Sequence, residues 1–119
     1  MQASAQPFEF KLHSRQGANP GQRVIEMAGP LIITTLFPLR EELRAGGETA
    51  TILDFTNVPF MDSAGLGLLV QAQVSSQKAG RRFALAGMNE RVRAVLTVTH
   101  VDGLFTAFGT PGEAEAALV

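Results

Sequence analysis

The 119-residue chain has no cysteine, no tryptophan and no tyrosine. Without cysteine there is no disulfide framework and no thiolate zinc site, a pattern compatible with a reducing compartment. Without tryptophan and tyrosine an interface loses its commonest anchoring aromatics, and eight phenylalanines must supply the bulk. An excess of either charge is also missing. Ten basic against eleven acidic residues leave a net charge of -1, which gives no long-range field to gather nucleic acid or an anionic membrane. No apolar run approaches the roughly 18 residues that span a bilayer, and the opening MQASAQP has neither a charged nor an apolar leader segment. The expectation is a cytoplasmic protein with no nucleic-acid partner and no membrane insertion.

What is present is ordinary globular composition, 45% hydrophobic and 18% charged, in a chain long enough to bury one core but not two. Residues 1–7 read as a flexible tail and 8–119 as one domain. "FEFKLHS" alternates apolar and polar positions, the period of a half-buried strand. Turn residues Asn19, Pro20 and Gly21 separate it from a second strand, "RVIEMAG". Leu36, Leu39 and Leu43 then recur at helical spacing up to Gly46 and Gly47, with Pro38 tolerable only in the first turn. "TATILDFTNV" is a continuous β-branched and apolar run, suited to a central strand covered on both faces.

A helix over 64–78 follows, with an expected apolar stripe of Leu66, Leu69, Val70 and Val74. "RFALAG" reads as a strand, and "NERVRAVLTVT" as a helix capped by Asn89 with Val92, Val95 and Leu96 inward. "GLFTAFG" reads as the last strand. Thr110, Pro111 and Glu113 open a final helix with a capping box. The resulting class is α/β, with a mixed, mostly parallel sheet of about five strands and about four helices.

The stretch that carries chemistry is "FMDSAGLGLLV", residues 60–70, where a strand hands over to a helix. Sites in such sheets lie at this kind of junction. Asp62 and Ser63 are both good caps, yet a helix needs only one. Gly65 and Gly67 fall inside the first turns, where each costs about 1 kcal/mol relative to alanine. Something must therefore approach the backbone closely, or the helix start must pack tightly on its sheet. The two nucleotide-loop motifs fail for want of a third glycine or a Lys-Ser/Thr pair. A nucleophile elbow fails because Met61 stands where glycine is required, and only His13 and His100 could act as an imidazole base. A serine at a helix N-terminus is also suited to accept a phosphoryl group, since backbone N–H groups and the helix dipole favour the anion that results. Asp62 opposes that gain as a like charge. It could equally orient the hydroxyl or touch a metal in a kinase complex.

"TILDFTNVPFMDSAGLGLLV" resembles the signature of STAS-domain anti-sigma factor antagonists, bacterial anti-anti-sigma factors. In that family a hydrophobic strand with Asp leads through Asp-Ser-Ser/Thr-Gly-Leu-Gly into a helix. "ALAGMNERVRAVLTVTHVDGLFTAF" and the earlier "GPL" extend the likeness from about residue 8 onward. The resemblance implies a STAS-like fold and a binding switch with no catalytic residue, no cofactor and no metal. It implies Ser63 as phosphoacceptor. Around it lie Asp54 and Asp62 as acidic neighbours, Gly65 allowing close approach, and Ala64, Leu66, Gly67 and Ile32 in the contact environment. Unphosphorylated, such a domain sequesters an anti-sigma factor with GHKL-type serine kinase activity. Phosphorylation breaks that complex and a PP2C-type phosphatase resets it. The resemblance leaves a dimer open.

Two departures bear on this. Ala64 replaces a second hydroxyl, leaving Ser63 as the only one in the motif. Ile32 stands where the family often carries Asp; Ile32 and Ile33 either extend an apolar contact surface or belong to the core, and the core is favoured because most aliphatics in such runs are buried. His100 is expected to be a partly buried loop residue. Lys78, Arg81 and Arg82 are assigned to solvent at a helix C-terminus, and Arg91 is placed within possible reach of a phosphate. The alternative reading is a phosphate-independent STAS adaptor in a lipid-transport or multi-protein signalling complex. A small serine hydrolase is the remote one.

Overall fold

The central strand is the run with most β-branched and apolar residues, β3 (Ala50–Asn57). The computed structural model describes residues 9–119, and the expected tail and Phe8 lie outside them. Before β3 come β1 (Lys11–Gln16), β2 (Gln22–Ala28) and α1 (Phe37–Ala45). After it come α2 (Ser63–Lys78), β4 (Arg82–Ala86), α3 (Glu90–Val98), β5 (Thr106–Phe108) and α4 (Pro111–Ala117). The strands pair in chain order as one five-stranded sheet. Only β1–β2 is antiparallel, as a tight hairpin allows, and the pairs from β2 to β5 are parallel.

Strand alternation sorts the core into two layers. Odd-numbered residues Ile25, Met27, Leu53, Phe55, Phe83 and Leu85 join Leu39 of α1, Leu66 and Leu69 of α2, and Val92 and Leu96 of α3. Even-numbered Val24, Ile52, Ala84 and Ala86 pack with Ala50 against Ala114 and Leu118 from the α4 end. The second layer is thin because its residues are small. Arg15 and Glu115 clamp it with a bidentate ion pair, both contacts 3.2 Å, and Glu115 also accepts from the Ala18 amide at 2.8 Å. The Arg15 guanidinium holds the Glu115 carboxyl below its ordinary range, against the upward pull of burial. Glu115 and Glu26 in turn raise Arg15.

The expected caps form. Asn89 accepts from the Val92 amide at 2.9 Å and Thr110 from Glu113 at 3.1 Å. Pro38 sits in the first turn of α1. Three details differ from expectation. The α2 stripe is rotated: Leu68 and Gln73 are buried while Val74 is exposed, because α2 lies between α3 and the α1 side and buries a wider arc. The last strand is shorter, since Asp102–Leu104 winds into a single 3₁₀ turn. His100 is exposed and left-handed, with φ 60. It ends α3 with the Val101 amide donating back to Leu96 at 3.0 Å, a position glycine more often fills.

Candidate functional site

At the carboxyl ends of β2 and β3 the two loops are tied together before either reaches its helix. Leu31 and Met61 form an isolated parallel bridge. The Leu31 amide donates to Phe60 at 3.1 Å, and the Asp62 amide donates back to Leu31 at 3.3 Å. Asp62 completes the join with both carboxylate oxygens. Oδ1 accepts from the Gly65 amide at 2.9 Å and caps α2, while Oδ2 accepts from the Ile33 amide at 3.0 Å and pins the other loop.

Gly65 explains one of the two glycines. A Cβ there would stand 2.4 Å from the Leu31 carbonyl oxygen and 2.8 Å from Met61 Cγ, and the residue is buried. Its close approach is thus internal, to the neighbouring loop. Gly67 is different, being exposed with nothing within 4 Å of a Cβ added to it. No contact within the described residues requires glycine at that position.

With Asp62 acting as the cap, Ser63 is left over. It is the first residue of α2 and exposed, and among the described residues its hydroxyl makes no hydrogen bond. The Gly65 amide is taken by Asp62 and the Leu66 amide by the Asp62 carbonyl. The Ser63 and Ala64 amides belong to the unpaired first turn, so an anion on Ser63 would meet donors. Gly67 follows one turn later, on the same face. Phe60, just before the motif, carries the Arg91 guanidinium 5.0 Å from its ring centroid, so that cation is held near the helix start by a cation–π contact.

The other expected site residues separate into groups. Ala64 is half-buried against the core, and Leu66 is buried within it. Asp54 shares the phase of Ala50 and Ile52, so it faces the α4 side of the sheet and not the α2 side. Its Oδ1 accepts from the Thr56 amide at 2.9 Å and the Thr56 hydroxyl at 2.6 Å. Asp62 and Ser63 are therefore brought together with Ile33, while Asp54 is held by a local turn on the opposite face.

Ile32 is half-buried and acts through its backbone, accepting from the Thr35 and Leu36 amides at 2.9 and 3.0 Å. Ile33, expected in the core, is 68% exposed, and Phe37 is 60% exposed. The turn through Thr35 directs them outward, since the Thr35 hydroxyl donates to Pro30 at 2.6 Å and accepts from the Ile32 amide at 2.9 Å. Sequence reasoning weighed a contact surface at Ile33 but favoured the core, and it missed Phe37. The pair's only signal was two large apolar residues four apart ahead of a helix-starting proline.

Among the described residues no group of three or more His, Asp or Glu could hold a metal ion, and no helix is long and apolar enough to cross a membrane.

Comparison with known proteins bears on the whole domain. A protein of Thermotoga neapolitana named as a proposed anti-sigma factor antagonist is 34% identical over 74 residues, which is 62% of this chain and 66% of that protein. The matched part thus spans just under two thirds of that relative. The crystal structure of an anti-sigma factor antagonist from Mycobacterium paratuberculosis superposes with a TM-score of 0.82 at 20% identity, covering 92% of this chain and 94% of that one. The phosphorylated form of the Bacillus cell fate determinant SpoIIAA gives 0.71 at 23% identity, covering 93% and 100%. The STAS domain profile matches residues 14–114, and on that match, with the five-stranded mixed sheet and four helices in the same chain, the protein belongs to the STAS domain family.

Proposed function

We propose that the chain is an anti-sigma factor antagonist, a non-enzymatic binding switch thrown by phosphorylation of Ser63. Unphosphorylated, it binds an anti-sigma factor with GHKL-type serine kinase activity. That kinase phosphorylates Ser63 and is released, and a PP2C-type phosphatase restores the binding form. The observation that carries this reading is the division of labour between adjacent residues. Asp62 spends both oxygens on the Gly65 and Ile33 amides, which leaves the exposed Ser63 hydroxyl free for chemistry supplied by another protein.

The surroundings support a contact that a phosphate would disrupt. Ile33 and Phe37 offer exposed apolar bulk, and the Asp62–Ile33 hydrogen bond fixes their loop against the start of α2. Gly67 leaves the next turn flat, so a partner can reach the helix backbone. Adding a charge of about -1.5 to -2 to this apolar surface, beside Asp62, brings like-charge repulsion and a desolvation cost. The donors of the first turn meanwhile hold the phosphoryl group without unfolding the domain. SpoIIAA, which shares the fold, is described in both phosphorylated and unphosphorylated forms, and relatives matched by sequence carry the anti-sigma factor antagonist name.

The test is intact-mass analysis after incubation with ATP and each candidate anti-sigma factor kinase from the same genome. One added phosphate is expected on wild type and none on Ser63→Ala. Phosphate on Ser63→Ala, or no addition with any candidate, sinks the reading and turns attention to the phosphate-independent adaptor.

A further inference from the structure

The same two helices enclose a second feature at their far ends. Between the C-terminal halves of α1 and α2 lies a cavity of about 370 Å³, within the size range of small-molecule sites. Its floor is one row across the sheet, Arg23, Thr51 and Phe83, which are register partners on neighbouring strands. Leu43, Leu68 and Ala72 add apolar wall, and Arg40, Arg44 and Arg81 also line it. Ser75 lies twelve residues along α2 from Ser63, about 18 Å at 1.5 Å per residue. Leu68, the lining residue of α2 nearest Ser63, is five residues on, about 7.5 Å, so most of the cavity lies beyond the proposed phosphorylation site.

Its charges are unevenly matched. Arg23, with its side chain only 8% exposed, is paired with Glu42 at 3.4 Å and Glu48 at 3.3 Å. The second pairing is misaligned, so Arg23 Nε and Glu48 Oε1 are both buried without a hydrogen-bond partner. Arg44 has one ion pair, with Glu41 at 3.9 Å between exposed side chains, a contact that solvent screens. Arg40 and Arg81 have no ion pair among the described residues. With Glu42 and Glu48 turned to Arg23, and Glu48 also lining the cavity, the four arginines face three carboxylates and leave about one positive charge, concentrated on Arg40, Arg44 and Arg81 beside the apolar wall. Gly46 adopts φ +47, and a Cβ there would stand 3.1 Å from Arg81 Nη1, so Arg81 lies close over this turn. Dipole complementation at a helix C-terminus accounts for Arg44 but not for Arg23, which is buried in a strand.

We infer that this cavity binds a small organic dianion, a phosphate monoester carrying a ring-sized apolar body, with the phosphate among Arg40, Arg44 and Arg81 and the body against Leu43, Leu68 and Phe83. The test titrates 1-naphthyl phosphate into the full chain and follows amide resonances and naphthyl fluorescence. Inorganic phosphate and 1-naphthol serve as the separate halves.

Saturable shifts are expected at Gln71, Ala72, Ser75 and Ser76, with the ester binding at least about tenfold tighter than either half. Arg40→Gln and Arg81→Gln, both at exposed positions and each checked for an unchanged melting temperature, are each expected to weaken it about tenfold. Ser63→Asp should leave it unchanged. Absence of saturable shifts at those amides overturns the inference, as does wild-type affinity in both arginine variants. Inorganic phosphate or naphthol binding as tightly as the ester overturns it too, by reducing the site to a bare anion or apolar patch.

Discussion

The two ends of the sheet use side chains in opposite ways. At the carboxyl end, around Ser63, the join between loops is made by backbone hydrogen bonds, a missing side chain and one carboxylate, and the exposed residues Ile33, Phe37, Ser63 and Gly67 are apolar or neutral, with Arg91 over Phe60 the nearby cation. At the amino end, charge dominates: Arg23 with Glu42 and Glu48 on one face, and Arg15 with Glu115 on the other. A surface to be switched by one phosphate gains from starting near neutral, because the added charge then changes it most. The amino end, rich in fixed charge, would barely register the same addition.

Four substitutions sharpen that contrast. The largest effect is expected for Gly65→Ala, whose methyl group must displace the Leu31 backbone. A loss of about 3 kcal/mol in urea unfolding is expected, and a loss below about 0.5 kcal/mol would mean the join is looser than described. Asp62→Ala removes the cap and the Ile33 tether together and should cost about 2 kcal/mol, with amide exchange accelerating at Ile33 as well as at Gly65.

At the amino end, Glu115→Gln should cost about 1.5 kcal/mol at neutral pH and flatten the acid side of the stability curve. The sign follows from the lowered Glu115 pKa. Its contribution is complete above the ordinary carboxylate range of the unfolded chain and fades as pH falls through the depressed folded value. Arg15, raised from an already high pKa, adds nothing to the acid dependence. Thermal melts from pH 6 down to about 2 compare the two proteins, and parallel curves would remove Glu115 from the account. The smallest effect is Gly67→Ala, which should stabilise the domain by about 1 kcal/mol. If the same change weakens anti-sigma factor binding, the glycine serves the partner and not the fold.

Much of this was legible in the sequence. The strand–helix order, the caps at Asn89 and Thr110 and the junction carrying Asp62 and Ser63 follow from periodicity and turn chemistry, which act over a few residues. What was not legible depends on distant parts meeting. The Gly65 contact is with Leu31, thirty-four positions earlier in the chain, so two glycines of equal appearance proved to have different reasons. Asp54 reads as a neighbour of Ser63 along the chain, but strand alternation turns it to the other face. Ile33 reads as core until the Thr35 turn directs it outward. Arg81 reads as a solvated helix-end cation, and its convergence with Arg23, Arg40 and Arg44 exists only after the sheet forms.

The central claim is that charge at Ser63 controls partner binding. It is tested most directly by calorimetric titration of the anti-sigma factor kinase with wild type, Ser63→Ala and Ser63→Asp. The account predicts that Ser63→Ala binds as wild type does and that Ser63→Asp binds at least about tenfold more weakly. Equal affinity for all three would contradict it.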